Sequence, residues 1–354
     1  MTRSDRSPHG GQPPSGTARI AVDLLGGDSA PAVVVDGALR ACSADPDLHL
    51  LLVGPRESAD EVIGALAVHD RERVSVSVVD RTVGMGDAPM RHVRRESTVR
   101  AAAEAVYAGR AGAMVSAGSS GAAVAASAHV LGRLRGVRRP GLAAHVPTPH
   151  GPVLLLDVGV TIDGTMLELV QHAVLGAAYA KVALGVTDPR VGLLSIGSEP
   201  GKGDRLRRAV AVALSDTVLP AGGRYIGLVE GHDVPLGGPA DVIVTDGFTG
   251  NILLKGIEGA TAAASTVAAN RTGAAEAPHV VAASKGAALL GVAGAVVVCH
   301  GSADGPDIAS GIALAARLHR ERIIPAVAGL ADELLTELSS AGGLTIRDAL
   351  GERS

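Results

Sequence analysis

The sequence predicts an α/β fold with a doubly wound, mostly parallel β-sheet. Short apolar runs alternate with helical patterns along most of the chain, which is the order of βαβ units. The runs are continuous in valine and leucine, as expected of strands that are covered on both faces. The clearest unit is a run at Val242–Val244 that ends at Asp246, a loop that carries Gly247 and Gly250, and a helical pattern from Ile252. Ligands of open parallel sheets bind at the carboxyl ends of the strands, so these exit loops are the candidate site.

Composition restricts the class of protein. The chain has 354 residues, enough for a large core, and 47% of them are hydrophobic, yet no stretch of about 18 apolar residues predicts a membrane span. With one phenylalanine, three tyrosines, no tryptophan and a net charge of -4, it has neither stacking platforms nor a basic footprint for nucleic acid. Cys42 and Cys299 form no metal-ligand spacing and no disulfide framework. We therefore expect a soluble protein of the reducing cytoplasm without a metal site, and no signal peptide contradicts this.

The remaining elements follow in order from the same patterns. Residues 1–17 lack periodicity and predict a disordered tail, residues 18–323 an α/β domain, and residues 324–354 a helical extension whose role the sequence does not assign. Helical patterns fill the intervals between strands, most clearly at 99–110 and in the alanine-rich segment after residue 121. The predicted strands are residues 19–23, 49–53, 74–79, 113–117, 152–157, 190–195, 224–229, 242–244 and 294–299.

Glycine and a polar residue recur where the predicted strands end. If such loops meet at one edge of the sheet, they form a polar cleft rich in backbone N–H donors, which suits phosphate and a developing oxyanion. There is no Walker motif, no Gly-x-Gly-x-x-Gly after the first strand and no Gly-x-Ser-x-Gly elbow, which disfavours ordinary NAD or ATP binding. The loops are residues 26–28, 118–121, 157–159, 201–203, 230–231, 246–248 and 300–302.

Several side chains in these loops have more than one interpretation. Lys202, between two glycines, is either a phosphate clamp or a solvated lysine. His300 is either a general acid–base or hydrogen-bond donor, or a histidine satisfied within the fold. Ser119 is a nucleophile, a phosphate ligand or a helix cap. Asp157 and Asp246 end strands, where carboxylates either orient ligands or cap helices.

Four arginines form a cluster outside these loops. The cluster is either a solvated face or an electropositive docking patch for an acidic partner. Its members are Arg133, Arg135, Arg138 and Arg139.

Seven segments of the chain have the composition and the order of one family's motifs: residues 22–31, 116–122, 139–142, 151–159, 201–203, 246–255 and 300–302. Together they resemble the PlsX family, the bacterial phosphate acyltransferases of phospholipid synthesis, over about residues 18–318. The resemblance implies a Rossmann-like fold related to phosphotransacylases and isopropylmalate dehydrogenases, in a homodimer. It also implies transfer of an acyl group from acyl carrier protein to inorganic phosphate, giving acyl phosphate.

From the loops and the resemblance we predict the roles of individual residues. Backbone N–H groups and Lys202 hold phosphate, while the glycine loops with Asn251 and His300 stabilise the oxyanion. Phosphate is already a nucleophilic anion at neutral pH, so no covalent intermediate, metal or redox cofactor is required. The predicted catalytic residues are Lys202, Asp246, Asn251 and His300. The predicted substrate- and phosphate-binding residues are Asp23, Gly26, Gly27, Asp28, Ser119, Ser120, Asp157, Thr161, Glu230, Phe248, Gly250, Lys255 and Ser302.

The chain departs from the family pattern chiefly by losing amide side chains. Ser119, Thr161, Ser195 and Leu228 stand where the family usually has asparagine, so neutral groups that fix ligand orientation are missing. Residues 256–283 are short and alanine-rich, whereas the family's segment is longer, amphipathic and helps to meet the membrane. An alanine-rich segment buries little area in a bilayer surface, which argues against membrane association here.

Three hypotheses for function follow. The first is a phosphate acyltransferase that uses an acyl carrier protein or CoA thioester. The second is a family member that has lost catalysis and acts as an acyl-carrier-binding or regulatory partner. The third keeps acyl transfer but uses a dedicated carrier or CoA thioester in specialised metabolism.

Overall fold

The computed structural model describes residues 16–83, 96–272 and 286–340, and the strands described there form one sheet of eleven. The predicted α/β fold is confirmed. The strands are β1 (Ala18–Asp23), β2 (Leu48–Gly54), β3 (Val74–Val78), β4 (Ala113–Ser116), β5 (Gly141–Val146), β6 (Val153–Leu156), β7 (Arg190–Ser195), β8 (Arg224–Glu230), β9 (Val242–Val244), β10 (Gly286–Leu290) and β11 (Ala295–Cys299).

The sheet consists of two parallel halves that run in opposite directions. In the order β3-β2-β1-β4-β11-β10-β5-β6-β9-β7-β8, the strands from β3 to β11 are mutually parallel, and so are those from β6 to β8. Between the halves, β10 is antiparallel to β11 and to β5, and β5 is antiparallel to β6. The strands of the two halves therefore end at opposite edges. We call the edge where β1, β4 and β11 end the first edge, and the edge where β6, β7, β8 and β9 end the second edge.

Helices cover both faces of the sheet, and each face has its own buried core. Successive residues of β1 alternate between the two cores, with Ile20 and Val22 in one and Ala21 in the other. One face is covered by α1 (Ala32–Ala44), α2 (Arg56–Ala65), α5 (Met166–Leu184), α6 (Arg205–Ser215), α9 (Gly305–Arg320) and α10 (Ile323–Ser340). The other face is covered by α3 (Thr98–Tyr107), α4 (Ser120–Val130), α7 (Asp233–Leu236) and α8 (Gly247–Thr272).

The structure corrects the sequence prediction at two strands and one helix start. Neither β5 nor β10 is among the predicted strands, because glycine, alanine and leucine dominate them and glycine and alanine have little strand preference. Helix α8 begins at Gly247, directly after Asp246, so the predicted loop that carries Gly250 is its first helical turn. The exit loops do not share one edge either, since the antiparallel centre divides them between two.

The end of the described chain is helical, and α10 packs against α5. No side chain of α8 is buried between residues 259 and 271, so this half of the helix projects from the sheet. Among the described helices, none has the length and apolar character needed to cross a membrane. The predicted tail up to residue 15 and the extension after residue 340 lie outside the described residues.

Candidate active site

Three of the predicted exit loops meet at the first edge, after β1, β4 and β11. The Asp28 N–H donates to the Gly301 carbonyl over 2.8 Å, which ties the β1 loop to the β11 loop. A Cβ on Gly26 would lie 2.8 Å from the Gly118 nitrogen, so the β1 and β4 loops touch and only glycine fits. Gly27 has a φ of +121°, which glycine adopts without strain. Backbone groups that are distant in sequence thus lie side by side, as a polar cleft requires.

Asp23 lies beneath these loops and is 2% exposed. Its carboxylate accepts from the Ser116 hydroxyl over 2.7 Å and from the Leu25 N–H over 3.2 Å. Burial raises the pKa of Asp23, because loss of hydration disfavours the charged form more than these hydrogen bonds favour it. Asp23 therefore holds the exits of β1 and β4 together, and contact with a ligand stays a prediction.

A lysine, a histidine and a serine form a cluster at the first edge. Lys255 Nζ contacts His300 Nε2, and His300 Nδ1 lies 2.8 Å from Ser302 Oγ. The Ser302 backbone N–H also donates to His300 Nδ1 over 3.3 Å, so the imidazole is held between the lysine and the serine. Lys255 comes from α8 and is exposed, whereas His300 and Ser302 follow β11. We call these three residues the lysine–histidine cluster.

The start of α4 lies beside this cluster. Ser119 Oγ accepts from the Ala122 N–H over 3.4 Å, which favours the helix cap among the three interpretations of Ser119. Ser120 lines a small cavity of about 50 Å³ together with His300 and Asn251. The N-terminus of α4 adds partial positive charge from its backbone N–H groups to this cavity, and the Glu258 carboxylate, which also lines it, opposes that charge.

At the second edge, Asp157 organises the loop after β6 and has no exposed surface. One carboxylate oxygen accepts from the N–H groups of Leu142 and Gly159 over 2.9 and 3.0 Å. The other accepts from the N–H and the hydroxyl of Thr161 over 2.7 and 2.9 Å. Both carboxylate oxygens therefore have hydrogen-bond donors within the fold, and Asp157 and Thr161 hold the loop in place.

The first turns of α8 pack against that loop. Asn251 Nδ2 donates to the Val158 carbonyl over 3.0 Å, and a Cβ on Gly250 would lie 1.9 Å from the Asp157 carbonyl oxygen. Lys255 lies one turn further along the helix than Asn251. Helix α8 thus links the loop at the second edge to the lysine–histidine cluster at the first.

Asp246 pairs with Arg207, a residue that the sequence analysis did not select. Arg207 Nη2 contacts Asp246 and lies 3.1 Å from Thr249 Oγ1, while Nη1 donates to Asp204 over 2.9 Å. Burial acts to raise the pKa of Asp246, but the hydrogen bonds from Thr249 and the adjacent guanidinium outweigh it and lower the pKa below its ordinary value. The sequence signal for Arg207 is its place in the first turn of the helix that follows residues 201–203.

This lowered pKa predicts that Asp246 contributes to stability in a pH-dependent way. Its stabilisation is complete above the pKa of the unfolded chain and is lost as the pH falls through the lower pKa of the folded state. We expect the difference in melting temperature between wild type and Asp246→Asn to shrink as the pH falls from neutral to about 3. Thermal unfolding across this range measures the difference, and a constant difference would contradict the ion-pair origin.

Lys202 and Glu230 lie apart from these groups. Lys202 Nζ is 4.0 Å from Glu199 Oε2, and the side chain lines a groove of about 410 Å³ with Leu228 of β8. The Glu230 carboxylate lies 3.7 Å from His232 Nδ1. The structure therefore favours the solvated interpretation of Lys202.

The predicted residues fall into two groups, which α8 connects. Across residues 16–83, 96–272 and 286–340, no three histidine, cysteine or carboxylate side chains are grouped as metal ligands. Associated with the first edge are Asp23, Gly26, Gly27, Asp28, Ser119, Ser120, Lys255, His300 and Ser302. Associated with the second edge are Asp157, Thr161, Lys202, Glu230, Asp246, Phe248, Gly250 and Asn251.

Solved structures with this arrangement define the class of fold. A phosphotransacetylase from Streptococcus pyogenes superposes with a TM-score of 0.57 at 18% identity, covering 87% of this chain and 94% of that chain. A branched-chain phosphotransacylase from Enterococcus faecalis V583 superposes with a TM-score of 0.52 at 17% identity, covering 84% and 98%. The chain therefore has the Rossmann-like α/β fold that the resemblance implied.

Sequence comparison then identifies the family. A family model described as "Fatty acid synthesis protein" matches residues 18–325. A protein named phosphate acyltransferase from Bacillus thuringiensis (strain Al Hakam) is 36% identical over 335 residues, covering 89% of this chain and 98% of the relative. This chain belongs to the PlsX family of phosphate acyltransferases, and the predictions of that family and of an enzyme are confirmed.

Proposed function

We propose that the protein transfers an acyl group from a thioester, carried by acyl carrier protein, to inorganic phosphate. The observation that carries the proposal is the lysine–histidine cluster beside the glycine loops of the first edge. An exposed ammonium close to a helix N-terminus suits a phosphate dianion. Lys255, rather than Lys202, then holds the phosphate, because Lys202 faces Glu199 in a separate groove.

The chemistry requires a phosphate oxygen to attack the thioester carbonyl carbon. A C–O bond forms, the C–S bond breaks, and the thiolate leaves on the carrier. Lys255 and the loop N–H groups position the phosphate, and N–H donors of residues 118–121 stabilise the charge that develops on the carbonyl oxygen. The departing thiolate takes a proton from the Lys255–His300 pair, which solvent then restores. Asn251 and Asp246 act as positioning residues, since both fix the start of α8.

The arginine cluster supports an acidic carrier as the donor. Arg133, Arg135, Arg138 and Arg139 are all exposed, and three of them line an open pocket of about 660 Å³. Glu168 lies 3.5 Å from Arg139, so the carboxylate offsets only part of this charge. A positive patch of this kind speeds the encounter with an acidic partner and selects against basic ones.

The proposal includes a homodimer, which sedimentation of the purified protein tests.

Mass spectrometry of the protein mixed with thioesters and phosphate tests the reaction. We expect phosphate-dependent release of free carrier together with acyl phosphate, with carrier thioesters preferred over CoA thioesters. Lys255→Met is expected to lower kcat/KM for phosphate by about tenfold or more, because it removes a charge-assisted contact to the dianion. Lys181→Met is the control, since its ammonium donates to the Thr187 carbonyl within the fold.

Two outcomes would contradict the assignment in different ways. If Lys202→Met reduces turnover and Lys255→Met does not, the phosphate lies at the second edge. If no donor is turned over while carrier binding is intact, the protein is a carrier-binding partner without catalysis. Preference for a CoA thioester would instead show that the acyl donor is not carried by acyl carrier protein.

A further inference from the structure

Three exposed apolar side chains gather around one cavity at the second edge. Ile196, Phe248 and Ile252 are 85%, 58% and 56% exposed, and all three line a cavity of about 530 Å³. Leu194 and Leu253 also line it. The volume is typical of small-ligand sites, and apolar side chains that are exposed together usually mark a binding surface. We call these five residues the apolar groove.

The charged rim of the apolar groove carries no net positive charge. Arg207 lines it, but the guanidinium is bonded to Asp204 on one side and to Asp246 on the other. Two carboxylates beside one guanidinium leave no net positive charge, so the rim does not attract phosphate. The groove therefore suits an uncharged part of the substrate.

One face of α8 connects the apolar groove with the lysine–histidine cluster. Phe248, Ile252 and Lys255 are spaced by four and three residues, lie along one side of the helix and are all exposed. At 1.5 Å per residue, Lys255 lies about 10 Å from Phe248 along the helix axis. A ligand on this face has a charged head at Lys255 and an apolar tail over Ile252 and Phe248. That is the shape of an acyl phosphate.

We propose that the apolar groove binds the acyl chain, which starts at the lysine–histidine cluster and passes over Ile252 to Phe248 and Ile196. This inference rests on the proposed acyl transfer and adds the place where chain length is recognised. An extended chain of about eight carbons covers the distance from Lys255 to Phe248. Shorter chains end over Ile252, and only longer chains reach Ile196.

Chain-length profiles of serine variants test this assignment. The ratio of kcat/KM for a dodecanoyl donor to that for a butanoyl donor is expected to fall about tenfold or more in Ile196→Ser. In Ile252→Ser the ratio of octanoyl to butanoyl turnover is expected to fall as well. Val218→Ser is the matched control, because Val218 is 86% exposed and does not line the groove, and it keeps the wild-type ratios. Thermal unfolding confirms that each variant is folded.

Calorimetric titration with butyl, octyl and dodecyl phosphate separates this inference from the proposed function. In the wild type, each methylene beyond octyl is expected to tighten binding by up to about fourfold, and Ile196→Ser to flatten the rise. Suppose that no thioester is turned over, but that affinity rises with alkyl chain length in the wild type and not in Ile196→Ser. The proposed acyl transfer is then wrong, and the groove still binds an alkyl chain. If Ile196→Ser changes neither the ratio nor the rise, or weakens all chain lengths equally, the groove does not hold the chain.

Discussion

Gly250→Ala is expected to lower the free energy of unfolding by about 3 kcal/mol or more, because it overpacks a contact between two backbones. A Cβ at this position would lie 1.9 Å from the carbonyl oxygen of Asp157 and 2.9 Å from the Thr245 methyl group. Neither α8 nor the loop after β6 yields easily, since the buried Asp157 carboxylate fixes that loop through bonds to Leu142, Gly159 and Thr161. Urea unfolding followed by circular dichroism measures the loss.

The same helix supplies matched controls for Gly250→Ala. Gly256 and Gly259 lie in α8, and a Cβ at either position would have no atom within 4 Å outside its own stretch of helix. Alanine at either position is expected to raise stability by up to about 1 kcal/mol, because alanine loses less backbone entropy in a helix. If Gly250→Ala behaves like these two, the start of α8 does not pack against the β6 loop in solution.

Asp246→Ala is expected to lower the free energy of unfolding by about 3 kcal/mol, because it removes the more deeply buried of the two carboxylates that pair with Arg207. The side chains of Arg207 and Asp246 are 11% and 7% exposed, so water does not replace the lost partner fully. Asp204 retains its bond to Arg207, which limits the loss. Activity is expected to fall as well, since Asp246 also holds the first turn of α8 through the Thr249 N–H over 2.9 Å.

A double-mutant cycle separates the ion pair from simple truncation. Arg207→Met combined with Asp246→Ala is expected to be more stable than the sum of the two single losses predicts. Asp204→Asn is the control; it removes the charge of the 58%-exposed partner of Arg207 but keeps a side-chain oxygen to cap α6, and it is expected to cost about 1 kcal/mol or less. Strict additivity of the two substitutions would show that Arg207 and Asp246 do not interact.

The parts of the fold that could be predicted from sequence are those with a local signal. Strands β7 and β9 are continuous apolar runs that end in polar or glycine-rich loops, and such runs indicate buried parallel strands without further information. Strands β5 and β10 carry no such signal, because their glycines and alanines favour no strand and they are held by pairing with each other. The strand direction of the sheet reverses at β5 and β10, so the division of the exit loops between two edges could not be predicted from the sequence either.

Prediction of the candidate site from the sequence was limited in the same way, because it too depended on local signals. Asn251 and Lys255 stand out because they belong to one contiguous motif, but Lys255 meets His300 across 45 residues of sequence. Arg207 and Asp246 are 39 residues apart, and nothing local marks them as partners. A carboxylate at a strand exit also has the same sequence pattern whether it faces inward or outward, so the complete burial of Asp157 was not predictable.

The strand order has a consequence for folding and synthesis. Strands β1 to β4 are synthesised first and β5 to β9 follow, and only then do β10 and β11 insert between β4 and β5. Until β11 is in place, one edge of β4 is unpaired and can pair with a wrong strand. Contacts between such distant segments form slowly, so a nascent chain that has not yet reached β11 is the species most exposed to aggregation.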